Sequence, residues 1–187
     1  MSVLTTTAAP RATDILPAGT WTIDPAHSSL EFAIRHLGIA TVKGRATELS
    51  GTITGGGAAA IEGTVPTQSL TTFDETRDGH LLSPDFFDAE RYPELRFVST
   101  TVSTTDEAIA VDGELTLKGV TRPVRLVGRL VGPATDPWGN ERIGLDLAGS
   151  VDRTEFGITW NAPLPGGGAL LPDTVVLSAS FSAIKAG

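Results

Sequence analysis

Three histidines, His27, His36 and His80, are the residues of this chain best suited to bind a metal or transfer a proton. Three histidines and one water make up a common catalytic zinc site. The three positions are dispersed along the chain, however, and the zinc-protease pattern His-Glu-x-x-His does not occur. This spacing favours hydrogen bonding to the protein or to a ligand head group. We therefore expect no metal and no cofactor.

A second candidate is the run Arg77-Asp78-Gly79-His80, which is followed by Ser83. Asp, His and Ser are the residue types of a hydrolytic relay, but a relay is recognised by its geometry. The Gly-x-Ser-x-Gly elbow that exposes a nucleophilic serine does not occur here. The run therefore favours a structural network, in which Arg77 and Asp78 bind neighbouring loop backbone. A hydrolase or a metal-dependent enzyme that uses His and Asp remains the alternative.

Composition excludes several classes of protein. The formal net charge of −8 disfavours nucleic acids and anionic membrane surfaces as partners. Seven acidic residues and two arginines lie between Asp74 and Glu94, so the negative charge is concentrated there. Without cysteine the chain has no disulfide, thiolate metal site or cysteine nucleophile. The chain has no apolar run of about 18 residues, which a membrane-spanning helix needs.

The elements that position these residues are predicted to be β-strands. Apolar and polar residues alternate through several stretches, as in strands with one buried face. Turn-forming residues separate the stretches at 55–57, 136–139 and 165–168. About eight such strands suit an antiparallel barrel or a sandwich, and the scarcity of edge-blunting lysine and proline favours the barrel. The fold class is therefore all-β, and a barrel of this size has room either for its own side chains or for one small apolar ligand.

The segment from Arg77 to Ser99 interrupts the alternation. Ser83-Pro84-Asp85 has the pattern of a helix start, with serine as N-cap and proline in the first helical position. We predict that the only substantial helix lies between Phe73 and Glu94 and covers one end of the barrel. The segment carries five large apolar side chains: Leu81, Leu82, Phe86, Phe87 and Tyr92.

Two polar residues lie an even number of positions from apolar residues of the same strand, so they are predicted to face inward with them. His36 follows Leu30, Phe32 and Ile34 at intervals of two, which turns it towards the barrel interior at the end of a strand. Arg153 continues the parity of a second strand in the same way. Each residue suits the polar end of a ligand, and each also suits a purely structural bond, to backbone for His36 and to a rim acid for Arg153.

The chain resembles the YceI-like family of polyisoprenoid-binding, lipocalin-like proteins over about residues 19–184. The resemblance implies an antiparallel barrel that holds a long amphiphile, with isoprenoid lipids as the associated ligands. Many members carry a signal peptide, whereas residues 1–17 show no charged start followed by an apolar core. We therefore expect a cytoplasmic location. The residues that carry the resemblance are WTIDPAHS at 21–28, Phe32, His36, VKG at 42–44, Thr72, RDGHL at 77–81, DFFD at 85–88, Tyr92, Pro93, FVS at 97–99, GELTLKGVTRPV at 113–124 and RTEFGI at 153–158.

These observations predict a flexible tail at 1–17 and one eight-stranded lipocalin-like barrel domain at 18–187. The expected function is non-enzymatic binding, storage or transport of a long amphiphilic lipid, such as a polyprenyl or quinone-type chain, in a hydrophobic tunnel. A homodimer is possible, and a ligand-free stress-response interaction module is a further alternative. The residues predicted to bind the ligand are Phe32, Ile34, His36, Leu81, Phe86, Phe87, Leu145, Leu147, Arg153, Leu177, Ala179 and Phe181.

Overall fold

A computed structural model of the chain describes residues 16–105 and 108–187. It contains one α-helix, α1 (Glu75–Leu82), and eleven strand segments in one antiparallel sheet. The segments are β1 (Gly19–Ile23), β2 (Ser29–His36), β3 (Ala40–Ala46), β4 (Ser50–Gly55), β5 (Ala60–Pro66), β6 (Leu70–Thr71), β7 (Glu94–Thr105), β8 (Ala108–Leu117), β9 (Val120–Thr135), β10 (Glu141–Asp152) and β11 (Thr174–Lys185).

The eleven segments form eight strands, because three of the strands are interrupted. β1 and β2 lie end to end along the same edge of β11, and β4 and β3 pair with them in the same order. β5 and β6 continue the series by pairing with β4 and β3. Each later strand pairs with the next, and β11 closes the ring on β1 and β2. This confirms the predicted eight-stranded antiparallel barrel.

Proline accounts for two of the three interruptions. Pro25 and Pro66 have no backbone N–H to donate to the neighbouring strand, so the ladder ends at or next to them. Asp24 then caps a short 3₁₀ turn at Pro25–His27, where its Oδ1 accepts a hydrogen bond from the Ala26 N–H. A second 3₁₀ turn, Thr67–Ser69, separates β5 from β6.

The two ends of the barrel differ. At one end, here called the closed end, short turns join β4 to β5 and β9 to β10, and β7 ends there beside the start of β8. Trp21, Ile53, Val111 and Leu145 fill the barrel there and are fully buried. At the other end, here called the mouth, lie the β2–β3 turn, the insertion at 72–93, the β8–β9 turn and a long segment at 153–173.

Part of the predicted tail belongs to the barrel. Leu16 is buried in the core of the closed end, and its carbonyl accepts a hydrogen bond from the Gly56 N–H. The Pro17 carbonyl accepts a hydrogen bond from the Trp21 indole N–H at 3.0 Å. The rest of the predicted tail, residues 1–15, lies outside the described residues.

The predicted helix start at Ser83 is wrong, although the helix does lie in the predicted insertion. α1 begins after Asp74, whose Oδ1 accepts a hydrogen bond from the Arg77 N–H at 2.9 Å, and it ends at Leu82. Ser83 is the C-cap, and its hydroxyl donates to the His80 carbonyl. Because Pro84 disfavours a helical conformation in the residue before it, the Ser83-Pro84 pair ends this helix.

Candidate functional site

The mouth half of the barrel encloses an apolar cavity of about 240 Å³. Its floor is the top of the closed-end core and includes Ile61, Leu147 and Ala179. Its walls are the inward faces of the strands, and its cover comes from the insertion and the 153–173 segment. The barrel is therefore hollow at one end and filled at the other, and the cavity occupies only the mouth half of its length.

Ten of the twelve predicted site residues line this cavity. They come from three strands, from the insertion and from the start of the 153–173 segment, so residues far apart in the chain share one space. Their part in binding a ligand stays a prediction. The ten are Phe32, Ile34, Leu81, Phe86, Phe87, Leu147, Arg153, Leu177, Ala179 and Phe181.

Leu145 and His36 do not line the cavity. Leu145 points inward as its parity predicts, but it lies nearer the closed end than Leu147 and is fully buried in the core. His36 is the last residue of β2, directly before the turn at Leu37. It is half-buried at the rim, beyond the level of the cavity. Parity therefore gave the face on which each residue lies but not its depth along the barrel.

Glycines give the aromatic residues of the wall their space. Phe32 and Gly44 are cross-strand partners on β2 and β3, and the Phe32 ring lies where a Cβ at Gly44 would be. Phe97 covers Gly113 in the same manner on β7 and β8. Because each ring lies flat over a residue without a side chain, the ring stays against the wall and leaves the interior open.

Three aromatic rings join the two covering segments. The His80 ring meets the Phe86 ring edge-on at 5.0 Å and the Trp160 ring edge-on at 4.8 Å. His80 Nε2 also lies 2.8 Å from Asp85 Oδ2. The Lys118 ammonium donates to the carbonyls of Pro84 and Gly157, at 2.8 and 3.4 Å. The insertion and the 153–173 segment thus form one cover over the cavity.

Arg153 is buried, and its guanidinium is used to hold the mouth together. Nε donates to the Pro172 carbonyl, and Nη1 donates to the carbonyls of Ile158 and Trp160, at 2.8–2.9 Å. Nη2 forms an ion pair with Asp173 at 3.6 Å. Arg153 therefore forms the structural bond to a rim acid that was the alternative to a ligand contact. Its guanidinium holds the two ends of the 153–173 segment.

The Arg77-Asp78 run forms the predicted structural network. Asp78 accepts hydrogen bonds from the Thr71 hydroxyl and from the Thr72 hydroxyl and N–H, at 2.5–2.7 Å. Arg77 donates to the Thr72 hydroxyl and carbonyl. Burial raises the pKa of Asp78, but the hydrogen bonds from the two threonines outweigh burial and hold its pKa below the usual value. Asp78 is thus a carboxylate that anchors α1 to β6.

The geometry does not assemble a hydrolytic relay from the Asp, His and Ser of this region. The Asp78 oxygens face the two threonines, whereas the His80 ring faces Asp85. The Ser83 hydroxyl donates to the His80 carbonyl and not to its ring. The signal in the sequence is that of a helix anchor and a helix end, which use the same residue types.

His27 is the last residue of the 3₁₀ turn that precedes β2, and its ring binds the protein. Its Nδ1 is 2.7 Å from Asp24 Oδ2, and the same carboxylate oxygen accepts a hydrogen bond from Arg142. Arg142 first and His27 second lower the pKa of Asp24 to about 2. Arg142 also donates to Asp136 and holds the pKa of that carboxyl well below its usual range. In the part of the chain that the structure describes, no three His, Asp or Glu residues are placed to hold a metal.

Apart from Arg153, the residues that the 153–173 segment contributes to the site were not predicted from the sequence. Phe156, Ile158 and Leu171 line the cavity, and Trp160 completes the aromatic group of the cover. The segment lacks strand alternation and crosses the mouth as a loop, so period-two reasoning does not apply to it. Its one signal was the Arg-Thr-Glu-Phe-Gly-Ile run at 153–158, whose role the sequence left open. Among the described residues, no helix has the length and apolar character of a membrane span.

Comparison with known proteins agrees with this architecture. The protein named YceI from Escherichia coli O157:H7 is 36% identical over 136 residues, which is 71% of either chain. The crystal structure of the YceI protein of Campylobacter jejuni is 29% identical, with a TM-score of 0.71 over 82% of this chain and 91% of that one. A polyisoprenoid-binding domain from Saccharophagus degradans has the same fold at 15% identity, with a TM-score of 0.61 over 89% of this chain and 98% of that one. The model of the YceI-like domain matches residues 21–183, and the chain therefore belongs to the YceI-like family.

Proposed function

We propose that this protein binds the hydrocarbon chain of a long amphiphilic lipid, most simply a polyisoprenoid, and carries or stores it without chemical change. The observation that carries the proposal is the apolar cavity in the mouth half of the barrel. Burial of each methylene group there contributes about 0.8 kcal/mol, so a chain of several carbons binds without any polar contact. The polyisoprenoid-binding domain of Saccharophagus degradans has the same fold and supports this choice of ligand.

The polar end of the ligand belongs at the mouth in this proposal. The Arg153 guanidinium, the buried charged group beside the cavity, is directed to three backbone carbonyls and Asp173. Transfer of an unpaired polar head into an apolar space costs several kcal/mol. A lipid therefore enters with its tail first and leaves its head in water, close to the rim residue His36.

A long chain requires the cover to move. Pockets that bury small ligands usually have volumes of about 300–1,000 Å³, and the cavity of about 240 Å³ lies below this range. Phe86 and Phe87 line the cavity from the insertion and are only half-buried. Outward rotation of these two rings enlarges the space without breaking the sheet, and we propose it as the step that admits a long chain.

Ala179→Trp tests the proposal. Ala179 lies on the cavity floor, so an indole there occupies the ligand's space. The matched control is Ala148→Trp, because Ala148 is exposed on the neighbouring strand. Ala148 directly follows Leu147, which is the cross-strand partner of Ala179. Each protein is purified and extracted with organic solvent, and the co-purified lipid is identified and quantified by mass spectrometry.

The expected result is lipid in the wild type and in Ala148→Trp, and little or none in Ala179→Trp. Circular dichroism and urea unfolding show whether Ala179→Trp remains folded. Equal lipid retention by a folded Ala179→Trp protein contradicts the cavity as the site. If the wild-type protein yields no lipid and also fails to take up an added polyprenol, the ligand-free alternative replaces the proposal.

A further inference from the structure

Three large apolar side chains, Leu37, Ile39 and Phe73, are exposed at the mouth and are here called the docking rim. Their exposed fractions are 42%, 78% and 69%. Leu37 and Ile39 belong to the β2–β3 turn, and Phe73 joins β6 to α1. Because β6 runs antiparallel to β3, it carries Phe73 towards the same end of the barrel as that turn. All three residues lie outside the cavity lining.

The backbone presents these side chains at a local cost. Leu37 and Gly38 have φ values of 56° and 70°, and the Ile39 N–H donates to the His36 carbonyl across the turn. Two-residue hairpin turns in which both residues have positive φ favour Asn-Gly, because asparagine tolerates the left-handed conformation better than leucine does. Phe73 has a φ of 64° and is likewise a bulky residue in the left-handed region. Leu37 and Phe73 both remain exposed large hydrophobic residues in spite of this cost.

The face beside the docking rim is basic, although the chain as a whole is acidic. Arg35, Lys43 and Arg45 are exposed on the outward face of the β2–β3 hairpin. Residues 29–46 contain these three cations and one acid, Glu31, for a net charge of +2, while the whole chain carries −8. The Arg45 guanidinium lies 5.1 Å from the Phe73 ring, so cation and apolar side chain are directly adjacent.

The acidic insertion occupies mainly the other side of the mouth. β2 and β3 belong to the first two strands of the ring, whereas the β8–β9 turn joins the fifth and sixth. The insertion crosses to that turn, where Lys118 binds the Pro84 carbonyl. Asp74, Glu75 and Asp78 stay near Phe73, where Arg77 offsets one of these three charges and the Asp78 carboxylate is hydrogen-bonded to Thr71 and Thr72.

We propose that the docking rim inserts into the surface of a phospholipid bilayer that contains anionic lipid, with Arg35, Lys43 and Arg45 against the head-group phosphates. Apolar side chains beside basic ones bind such a surface by combining burial with electrostatic attraction. Docking in this orientation places the mouth of the cavity at the membrane. Its purpose, the exchange of a lipid tail, rests on the proposed function, whereas the docking itself is measurable without cargo.

Vesicle co-sedimentation tests the docking surface with the full chain. The vesicles are phosphatidylcholine alone or phosphatidylcholine mixed with phosphatidylglycerol. We expect binding to the mixed vesicles that weakens as salt is added, because added ions screen the attraction. The double variant Ile39→Ser/Phe73→Ser should bind at least about tenfold more weakly, through loss of the inserted apolar area. Trp138→Ser is the control, since Trp138 is 82% exposed at the closed end.

A second pair of variants tests the charges. Lys43→Gln/Arg45→Gln should weaken binding to the mixed vesicles by about fivefold for each cation removed. Arg125→Gln/Arg129→Gln is the matched control, because both arginines are exposed on β9, away from the β2–β3 hairpin. All substituted side chains are exposed, so each variant is expected to fold, and circular dichroism verifies this.

Three results overturn the proposal. The first is no binding of the wild-type protein to either kind of vesicle. The second is equal weakening by the rim variants and their controls. The third is a rim variant that changes the oligomeric state while vesicle binding is unaffected, since the rim is then an interface between copies. Retention of lipid by these variants in the extraction assay is independent of vesicle binding, so failure of docking leaves the cavity proposal standing.

Discussion

At the scale of single residues, Arg153 shows how a buried charge serves the architecture of the mouth. Its guanidinium supplies the donors for the Ile158, Trp160 and Pro172 carbonyls in a loop that has few ladder hydrogen bonds. Without these donors, the buried part of the loop loses the partners of its polar backbone. The charge of Arg153 therefore positions the residues that cover the cavity.

Arg153→Met should lower the free energy of unfolding by about 3 kcal/mol, because several buried carbonyls lose a charged donor at once. Urea unfolding followed by fluorescence measures the change. Arg129→Met is the control, since Arg129 is 72% exposed and pairs with Asp146 at the surface. Its effect should stay within about 0.5 kcal/mol. Equal losses in the two variants contradict the structural role of Arg153.

Arg142 has a structural role at the closed end like that of Arg153 at the mouth, because it binds both Asp24 and Asp136. Arg142→Met should destabilise the protein by about 2 kcal/mol at neutral pH, through loss of charge-assisted hydrogen bonds. Both carboxylates have a lowered pKa in the folded state, to about 2 for Asp24. Their contribution is therefore complete above the usual value of 3.8 and is lost as the pH falls towards 2.

The measurement is the free energy of unfolding of the wild type and Arg142→Met between pH 7 and pH 2. The difference between the two proteins should be constant above about pH 5 and should shrink below about pH 4, as the carboxylates take up protons. A difference that stays the same down to pH 2 shows that Arg142 acts through packing and not through its charge.

At the scale of elements, the cavity depends on pairs of strands in which an aromatic residue faces a glycine. Gly44→Ala should destabilise the barrel by about 1–3 kcal/mol, because the new methyl group displaces the Phe32 ring and overpacks the wall. The displaced ring enters the cavity, so retention of lipid should fall as well. Urea unfolding and the extraction assay measure the two effects.

Gly79→Ala is the matched control for this substitution. Gly79 lies in α1, and a Cβ there contacts nothing within 4 Å. Alanine is a better helix former than glycine, so this variant should gain about 0.5–1 kcal/mol of stability and retain lipid normally. A Gly44→Ala protein as stable as the wild type contradicts the role assigned to the Phe32–Gly44 pair.

At the scale of the whole molecule, a rigid ring of strands supports a cover made from two separate segments. Lys118 connects them, because its ammonium binds Pro84 in the insertion and Gly157 in the 153–173 segment. Lys118→Met should speed the release of bound lipid by about tenfold. The reason is that the variant loses roughly 1.4 kcal/mol of hydrogen bonding that holds the two covering segments together. The decrease in fluorescence of a labelled lipid on transfer to acceptor vesicles measures this rate.

Arg122→Met is the control for the cover, because Arg122 is exposed near the same turn and donates to the carbonyl of Thr121, outside both covering segments. Its rate of release should equal that of the wild type. The result that contradicts the prediction is an unchanged rate in Lys118→Met, which shows that the two segments open independently of this lysine.

Much of the fold follows from local patterns in the sequence. Alternation with a period of two fixed the strands and the face on which each side chain lies, since successive side chains point to opposite sides of a strand. Seven of the ten predicted residues that line the cavity followed from this alternation, and Leu81, Phe86 and Phe87 followed from the apolar character of the insertion. The motif residues also identified the family and located the helical insertion, although Ser83 and Pro84 end the helix that they were expected to begin.

Tertiary structure decided how deep each side chain lies along the barrel and which residues it contacts. Leu145 and Leu147 have the same local pattern, yet Leu145 is in the filled core and Leu147 lines the cavity, because closure of the ring sets the level of each residue. Arg153 has the parity of a ligand contact, but its partners come from a loop that folds back over the mouth. Such contacts join residues distant in sequence and produce no repeating pattern in the local sequence. They can therefore be identified only in the closed barrel.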